Sequence, residues 1–239
     1  MTFRKDINGL RALSVLAVVL FHFQVPYLHG GFVGVDIFFV ISGFLMTGII
    51  FRRLKKDDFS IIGFYLDRGR RIIPALAVLC LVLLSLGYFW LIPFDYLALG
   101  KQAAAAATFV SNMLFFSEAG YFDHRSREKL LLHTWSLSVE WQFYIVYPLI
   151  LLALKKILGV RLVRYALIIL TLFSLALSVY IAPWDGPFAF FTLPTRAWEM
   201  SAGGLVYLFP IGGGGKGRQE TNARSVRTDS YSGELALDA

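Results

Sequence analysis

The sequence predicts an all-α fold, a polytopic transmembrane helical bundle of about six to seven membrane segments with a disordered C-terminal tail. Apolar residues fill 57% of the 239 positions and charged residues 16%, where soluble domains carry about 25% charged residues. Mean hydropathy is +0.63. Apolar stretches recur at lengths that let a helix cross about 30 Å of hydrocarbon, which takes roughly 17 to 25 residues. Between them the charge is basic. Positions 52–71 hold Arg52, Arg53, Lys55, Lys56, Arg68, Arg70 and Arg71 against Asp57, Asp58 and Asp67. A basic loop between apolar spans marks a cytoplasmic face, so the net charge of +7 reads as topology and not as a nucleic-acid footprint.

The first apolar span covers roughly 10–25 and the second roughly 32–51, joined by a turn with Gly30-Gly31. Arg4 and Lys5 before an apolar run mimic a signal peptide, but Phe23-Gln24-Val25-Pro26-Tyr27 offers no small-x-small cleavage site, so the span is expected to stay. A third span is expected over 72–92, after the basic loop. Residues 103–117 are alanine-rich and short for a span, and a polar stretch runs from Glu118 to Lys129 with Asp123, His124, Arg125, Arg127 and Glu128. Another span covers about 134–154, a second basic loop holds Lys155, Lys156, Arg161 and Arg164, and further spans cover about 165–182 and, imperfectly, 197–211. Both basic loops share a face only if 103–117 does not cross fully. Either it re-enters, or the second loop breaks the rule.

From Gly212 the sequence reads GGGGKGRQETNARSVRTDSYSGELALDA, with four basic and four acidic side chains and too little apolar surface to order itself. The expected organisation is a partial membrane domain over 1–211 and a low-complexity tail over 212–239, as in a truncated or frame-shifted version of a longer protein. The single cysteine, Cys80, excludes an intrachain disulfide and a cysteine-built metal site; no metal site is expected.

Ionisable groups inside apolar spans cost about 2.5–3.5 kcal/mol on insertion scales and are functional candidates by default. Arg11 and His22 are separated by ten residues, which places them on one helical face roughly 16 Å apart. Arg11 reads either as a snorkelling anchor or as part of a site, and His22 either as an interhelical hydrogen-bonding group or as a general base, since imidazole removes a hydroxyl proton near neutral pH. Asp36 stands either as the carboxylate that supports His22 across the hairpin or as an interfacial group satisfied by backbone. Ser42-Gly43-Phe44 suits close helix packing. Arg68 and Arg71 suit phosphate oxygens at the mouth of the bundle, or serve as topology anchors. His133, Ser136, Glu140 and Tyr144 share one helical face and imply a lined cavity, in which Glu140 requires an arginine or a sugar hydroxyl. Arg196 and Glu199, three apart, are placed to pair.

In order along the chain, FRKDINGLRALSVLAVVLFH, GGFVGVDIFFVISGFLMTGII, FYLDRGRRIIPA, SNMLFFSEAGYFD, LLHTWSLSVEWQFYIVYPL and PTRAWEMSAGGL resemble the acyltransferase-3 family of membrane proteins, which includes O-antigen and peptidoglycan O-acetyltransferases. The resemblance covers about residues 3–209. It implies about ten helices in the whole family domain and an acyl group, usually acetyl, drawn from cytoplasmic acyl-coenzyme A as co-substrate, with no bound cofactor. The acceptor it implies is envelope or secreted carbohydrate, such as lipopolysaccharide O-antigen, exopolysaccharide, peptidoglycan or a lipid-linked glycan. Arg11 with His22, Arg68 with Arg71, Ser42-Gly43-Phe44 and Glu140 match the family pattern. Trp141 departs from it, standing where the family commonly has a second glutamate, and helices beyond residue 209 and an extracytoplasmic hydrolase-like domain are expected of fuller members.

The expectation is therefore a multi-pass protein of the bacterial inner membrane with a cytoplasmic N-terminus, in contact with membrane lipid and without nucleic acid as partner. His22, Asp36 and Glu140 are expected to be catalytic, and Arg11, Ser42, Arg68, Arg71, His133, Ser136 and Tyr144 to bind donor or acceptor. The rival readings are a carrier that moves an acyl group or lipid-linked sugar without transferring it, and an inactive remnant.

Overall fold

A computed structural model describes residues 5–27, 29–54, 56, 58–119 and 129–210, without the side chains of 158, 160 and 161. The expected tail over 212–239 lies outside the described residues, as do Lys55, Asp57 and the charged residues from Asp123 to Glu128. The chain divides into two units, Met1–Tyr207 and Leu208–Ala239, and the helical bundle belongs to the first.

Among the described residues there are eight helices: α1 (Lys5–His22), α2 (Gly34–Leu54), α3 (Ile61–Trp90), α4 (Pro93–Ala107), α5 (Ser111–Glu118), α6 (Thr134–Ile181), α7 (Gly186–Phe191) and α8 (Leu193–Leu208). Four segments are long and apolar enough to cross a membrane: Gly31–Leu54, Ile61–Trp90, Thr134–Ile157 and Leu162–Ile181. α1 and α8 lie against α2 and add rods that length and hydropathy alone do not count.

α1 and α2 form the expected hairpin. Gln24 and Tyr27 take left-handed backbone at φ 53° and 70° and end α1, and the chain returns so closely that a Cβ on Gly34 would stand 2.5 Å from the Ser14 carbonyl oxygen. α3 begins eleven residues before the expected 72, because the Ser60 side chain caps it by accepting from Gly63 N at 3.1 Å. Arg68, Arg70 and Arg71 therefore sit in its first turns and not in a loop. At 30 residues α3 runs about 45 Å, longer than the hydrocarbon is thick, so its basic turns can reach the headgroup zone while its apolar turns fill the core.

Paired contacts order the rods. Ser42 meets Glu140, Thr47 meets Tyr147 at 2.7 Å, and Leu54 O accepts from Lys155 at 3.2 Å, separations of 98, 100 and 101 residues. A near-constant offset means that α2 and the first arm of α6 run parallel. α3 runs antiparallel to that arm: Tyr65 donates to Ile145 O at 2.9 Å, and Gly69 lies beside Trp141.

Residues 103–117 resolve the question of parity. α4 descends along α3, with Leu76, Cys80, Leu99, Ala103, Ala106 and Phe109 in one apolar cluster, and the chain turns back at Phe109, whose φ is 55°. Phe109 stacks on Trp141 with ring centroids 4.4 Å apart, and its carbonyl accepts from Gln142 Nε2 at 3.1 Å. α5 then climbs back: Ser111 and Ser138 share a hydrogen bond of 2.8 Å, and Glu118 pairs with Lys129 at 3.0 Å, just before α6. The segment re-enters, and its broken backbone is bonded by protein instead of facing lipid.

The second basic loop is a kink inside α6. Gly159, at φ 73° and ψ 161°, reverses the chain in a conformation that favours glycine, and Ser174 on the second arm reaches back to Pro194 O at 2.6 Å. Lys155, Lys156 and Arg164 thus share an end of the bundle with Arg52 and Arg53. α8 starts at Leu193, earlier than expected, and runs parallel to α2 in close contact. A Cβ on Gly43 would stand 1.7 Å from the Met200 carbonyl oxygen, and one on Gly203 would stand 1.9 Å from that of Val40. Small residues let backbones meet where no hydrophobic drive separates helix from lipid.

Gly43→Ala is predicted to lower stability by about 1–3 kcal/mol through overpacking, read as a reduced thermal midpoint in detergent. Gly100→Ala, where a Cβ meets nothing within 4 Å, should leave the midpoint unchanged or raise it.

Candidate active site

The non-basic end of the bundle carries two imidazoles. His22 is the last residue of α1 and His133 the residue that caps α6, and their ring centroids stand 4.4 Å apart with the planes at 40°. Desolvation at the helix mouth, and after it the His22 charge, pushes the His133 imidazole below its ordinary value. Asp36, expected beside His22, is engaged elsewhere: its carboxylate accepts from Arg196 at 2.8 Å. Arg196 also donates to Glu199 at 2.6 Å, the pairing the sequence suggested, so one guanidinium bridges two carboxylates. It is ringed by Phe39, Trp135 and Phe190, each with its centroid 5.3–5.6 Å from the guanidinium carbon. Glu199 is fully buried at 0% exposure.

Deeper in the bundle, Glu140 accepts from the Ser42 and Tyr144 hydroxyls, one from α2 and one from a turn below on its own helix. Arg68 reaches the same place from α3. It lies within electrostatic range of Tyr144 and Glu140, and of Arg71 and Asp67. The partners of Glu140 are thus hydroxyls first, with the expected arginine at longer range. Thr47 and Tyr147 continue the polar line toward the basic end. Along α6, Glu140 lies seven residues past His133, roughly 10 Å toward the basic end.

The face predicted for His133, Ser136, Glu140 and Tyr144 divides in two. His133 joins His22, Glu140 joins Tyr144, and Ser136 turns back to the His133 carbonyl at 3.1 Å. Arg11 and Arg68 are half-buried, each with an Nε that finds no hydrogen-bond partner among the described residues; Arg71 is exposed, one helical turn from Arg68. Among the described residues no three metal-ligating side chains gather.

Sequence reasoning missed the link from Arg196 to Asp36, 160 residues apart, and the seam of Ser111, Asn112, Ser138 and Gln142 that holds the re-entrant turn. The run SNMLFFSE offered a signal for that seam, since Ser111 and Asn112 stand at its start. Trp141, where the family commonly has glutamate, forms the floor under Phe109.

Residues 4–231 match the family described as an acyltransferase domain, the acyltransferase-3 family. The chain belongs to that family. The peptidoglycan O-acetyltransferase OatA of Listeria monocytogenes is 35% identical to it over 212 residues, covering 86% of this chain and 34% of that protein. The O-acetyltransferase OatA of Staphylococcus aureus is 35% identical over 213 residues, covering 85% of this chain and 34% of that protein. BcsY of Komagataeibacter xylinus, whose name designates it a membrane-bound transacylase, is 35% identical over 212 residues, covering 87% of this chain and 52% of that protein. The chain thus spans about a third to a half of the length of these acyltransferase relatives. No solved structure gives a significant match.

Removing Arg196 leaves Asp36 and the buried Glu199 without their shared cation, and breaking a buried pair in this way costs about 3–5 kcal/mol. Arg196→Ala is predicted to lose folded protein on extraction into mild detergent, and Arg53→Ala, at an exposed pair with Asp67, to behave as the unsubstituted chain.

Proposed function

We propose that this chain is the membrane portion of an O-acyltransferase that moves an acyl group, acetyl in the simplest case, from cytoplasmic acyl-coenzyme A to a hydroxyl of envelope or secreted carbohydrate. The observation that carries this reading is the placement of an imidazole pair at one end of an acyltransferase-3 bundle and a half-buried carboxylate, with an arginine in electrostatic range, between that pair and the basic end. In this reading the basic end faces the cytoplasm of a bacterial cell, as the positive-inside rule requires, and the histidines face the compartment where the glycan lies. The printed names of the OatA relatives, one of which acts on peptidoglycan, support a polysaccharide acceptor; lipopolysaccharide, exopolysaccharide and peptidoglycan all offer the same alcohol.

The chemistry follows from the groups present. His22 takes the proton of the acceptor hydroxyl as its oxygen bonds to the acyl carbonyl carbon; the carbon–sulfur bond breaks and its electron pair leaves on the thiolate of coenzyme A. A positioned base contributes about 10²–10⁴-fold to such a step. Exposed Arg71 grips donor phosphate oxygens, and half-buried Arg68 links that grip to Glu140, whose carboxylate is kept in the bundle by Ser42 and Tyr144. Asp36 serves indirectly, by fixing Arg196 and with it the mouth of α8.

With labelled acetyl-coenzyme A and membrane vesicles holding the acceptor glycan, His22→Ala is predicted to lower kcat by about 100-fold or more. Arg71→Ala is predicted to raise the KM for the donor about tenfold, the value of a lost charge-assisted hydrogen bond, with kcat nearly kept. Wild-type turnover by His22→Ala would remove the histidine from the reaction.

A further inference from the structure

Asp36 is the group that chemistry would first nominate to orient His22, and it is bound to Arg196. What touches the His22 ring instead is aromatic: Phe21 beside it on α1, with centroids 5.2 Å apart, and His133, closer at 4.4 Å. The two histidines are 111 positions apart in the sequence, and they meet because α1 ends where α6 begins. We propose that His133 is the positioning residue for the His22 base, and that the two imidazoles act as a coupled pair in which charge on one ring disfavours charge on the other. This inference rests on the reading of His22 as the base.

The two rings constrain each other by contact and by charge. Rings 4.4 Å apart at 40° are in van der Waals contact, so His133 removes rotational freedom from an imidazole that otherwise ends its helix in the open. Two imidazolium ions at that separation repel, so the His22 charge disfavours charge on His133. Nearby charges do not offset this. Among the described residues at this end, Asp36 and Glu199 are taken by Arg196, Lys129 pairs with Glu118, and Asp185 accepts from Phe188 N at 2.9 Å; His29 lies on the connection after α1, and the charge that lowers His133, after desolvation, is that of His22. When His22 receives the hydroxyl proton, neutral His133 stays against its face, and the proton leaves from the pair to the departing thiolate or to solvent. No other atom is gained or lost.

The test does not depend on turnover. The detergent-solubilised chain carrying nitrogen-15 histidine is titrated by NMR from pH 4.5 to 8.5, alongside His22→Gln and His133→Gln. The expected result is two distinct steps for these imidazoles, with the His133 step moving to higher pH in His22→Gln. Two coincident steps in the unsubstituted chain, a result available even if a variant does not fold, would overturn the coupling. In the vesicle assay His133→Gln should lower kcat at least about tenfold with the donor KM kept. It should also reduce the acid limb of the pH–rate profile from two ionisations to one. A fall in kcat with the limb unchanged would make His133 a packing residue only and overturn the proposal. If His22→Ala transfers acyl groups normally, the reading of His22 as base fails while the titration still reports whether the pair is coupled.

Discussion

Hydrocarbon offers no hydrogen bonds, so polar groups between the ends of this bundle must find partners in protein, and the partnerships that cross between helices set the helix order. α2 is the centre of them. It gives Ser42 to Glu140, Thr47 to Tyr147, Leu54 O to Lys155 and Asp36 to Arg196, which binds both the first arm of α6 and α8, each parallel to it. Helices that run parallel in a membrane must be joined by a return. For α8 that return is the second arm of α6. Between α2 and α6 it is α3 together with a segment that enters and leaves by the same end. The re-entrant turn at Phe109 is therefore a consequence of where the polar groups find partners, and it puts Lys155, Lys156 and Arg164 at the same end as Arg52 and Arg53.

That arrangement gives the bundle a chemical axis. Basic side chains stand at one end; Arg68, Glu140, Ser42 and Tyr144 lie inside; His22 and His133 stand at the other. A reaction between an anionic donor on one side of a membrane and a sugar hydroxyl on the other calls for groups of these types in this order. The Arg196 bridge is a different kind of feature. Ringed by aromatic side chains, it joins α2 and α8 beside the histidine end, and its worth is greatest in what its loss would leave uncompensated.

Much of this was legible in the chain. The runs that became α2, α3 and the arms of α6 are apolar over lengths that leave few alternatives, and Arg11, His22, Glu140 and Arg196 stood out because charge inside such runs is expensive. The errors share a cause. By charge alone Arg68, Arg70 and Arg71 suggest a loop, but the Ser60 cap starts a helix there, and a helix longer than the hydrocarbon carries charge in its end turns without penalty. The basic cluster at Lys155 and Lys156 suggested a separate loop where a single glycine at positive φ suffices. Asp36 was assigned to His22 because the two are close in sequence; its true partner is 160 residues away, and His133 likewise reaches His22 only through the fold. Local pattern reports the environment a residue requires and is silent on which distant residue supplies it.

The topology is the claim on which site and function both stand, and it is open to direct measurement. With Cys80→Ala as background, single cysteines introduced by Lys56→Cys, Lys156→Cys and Ile92→Cys are exposed in intact cells and in lysed cells to a maleimide that cannot cross membranes. The account predicts that positions 56 and 156 label together and that position 92 labels from the opposite side. Positions 56 and 156 labelling from opposite sides would mean that 93–118 crosses the membrane, and would contradict it.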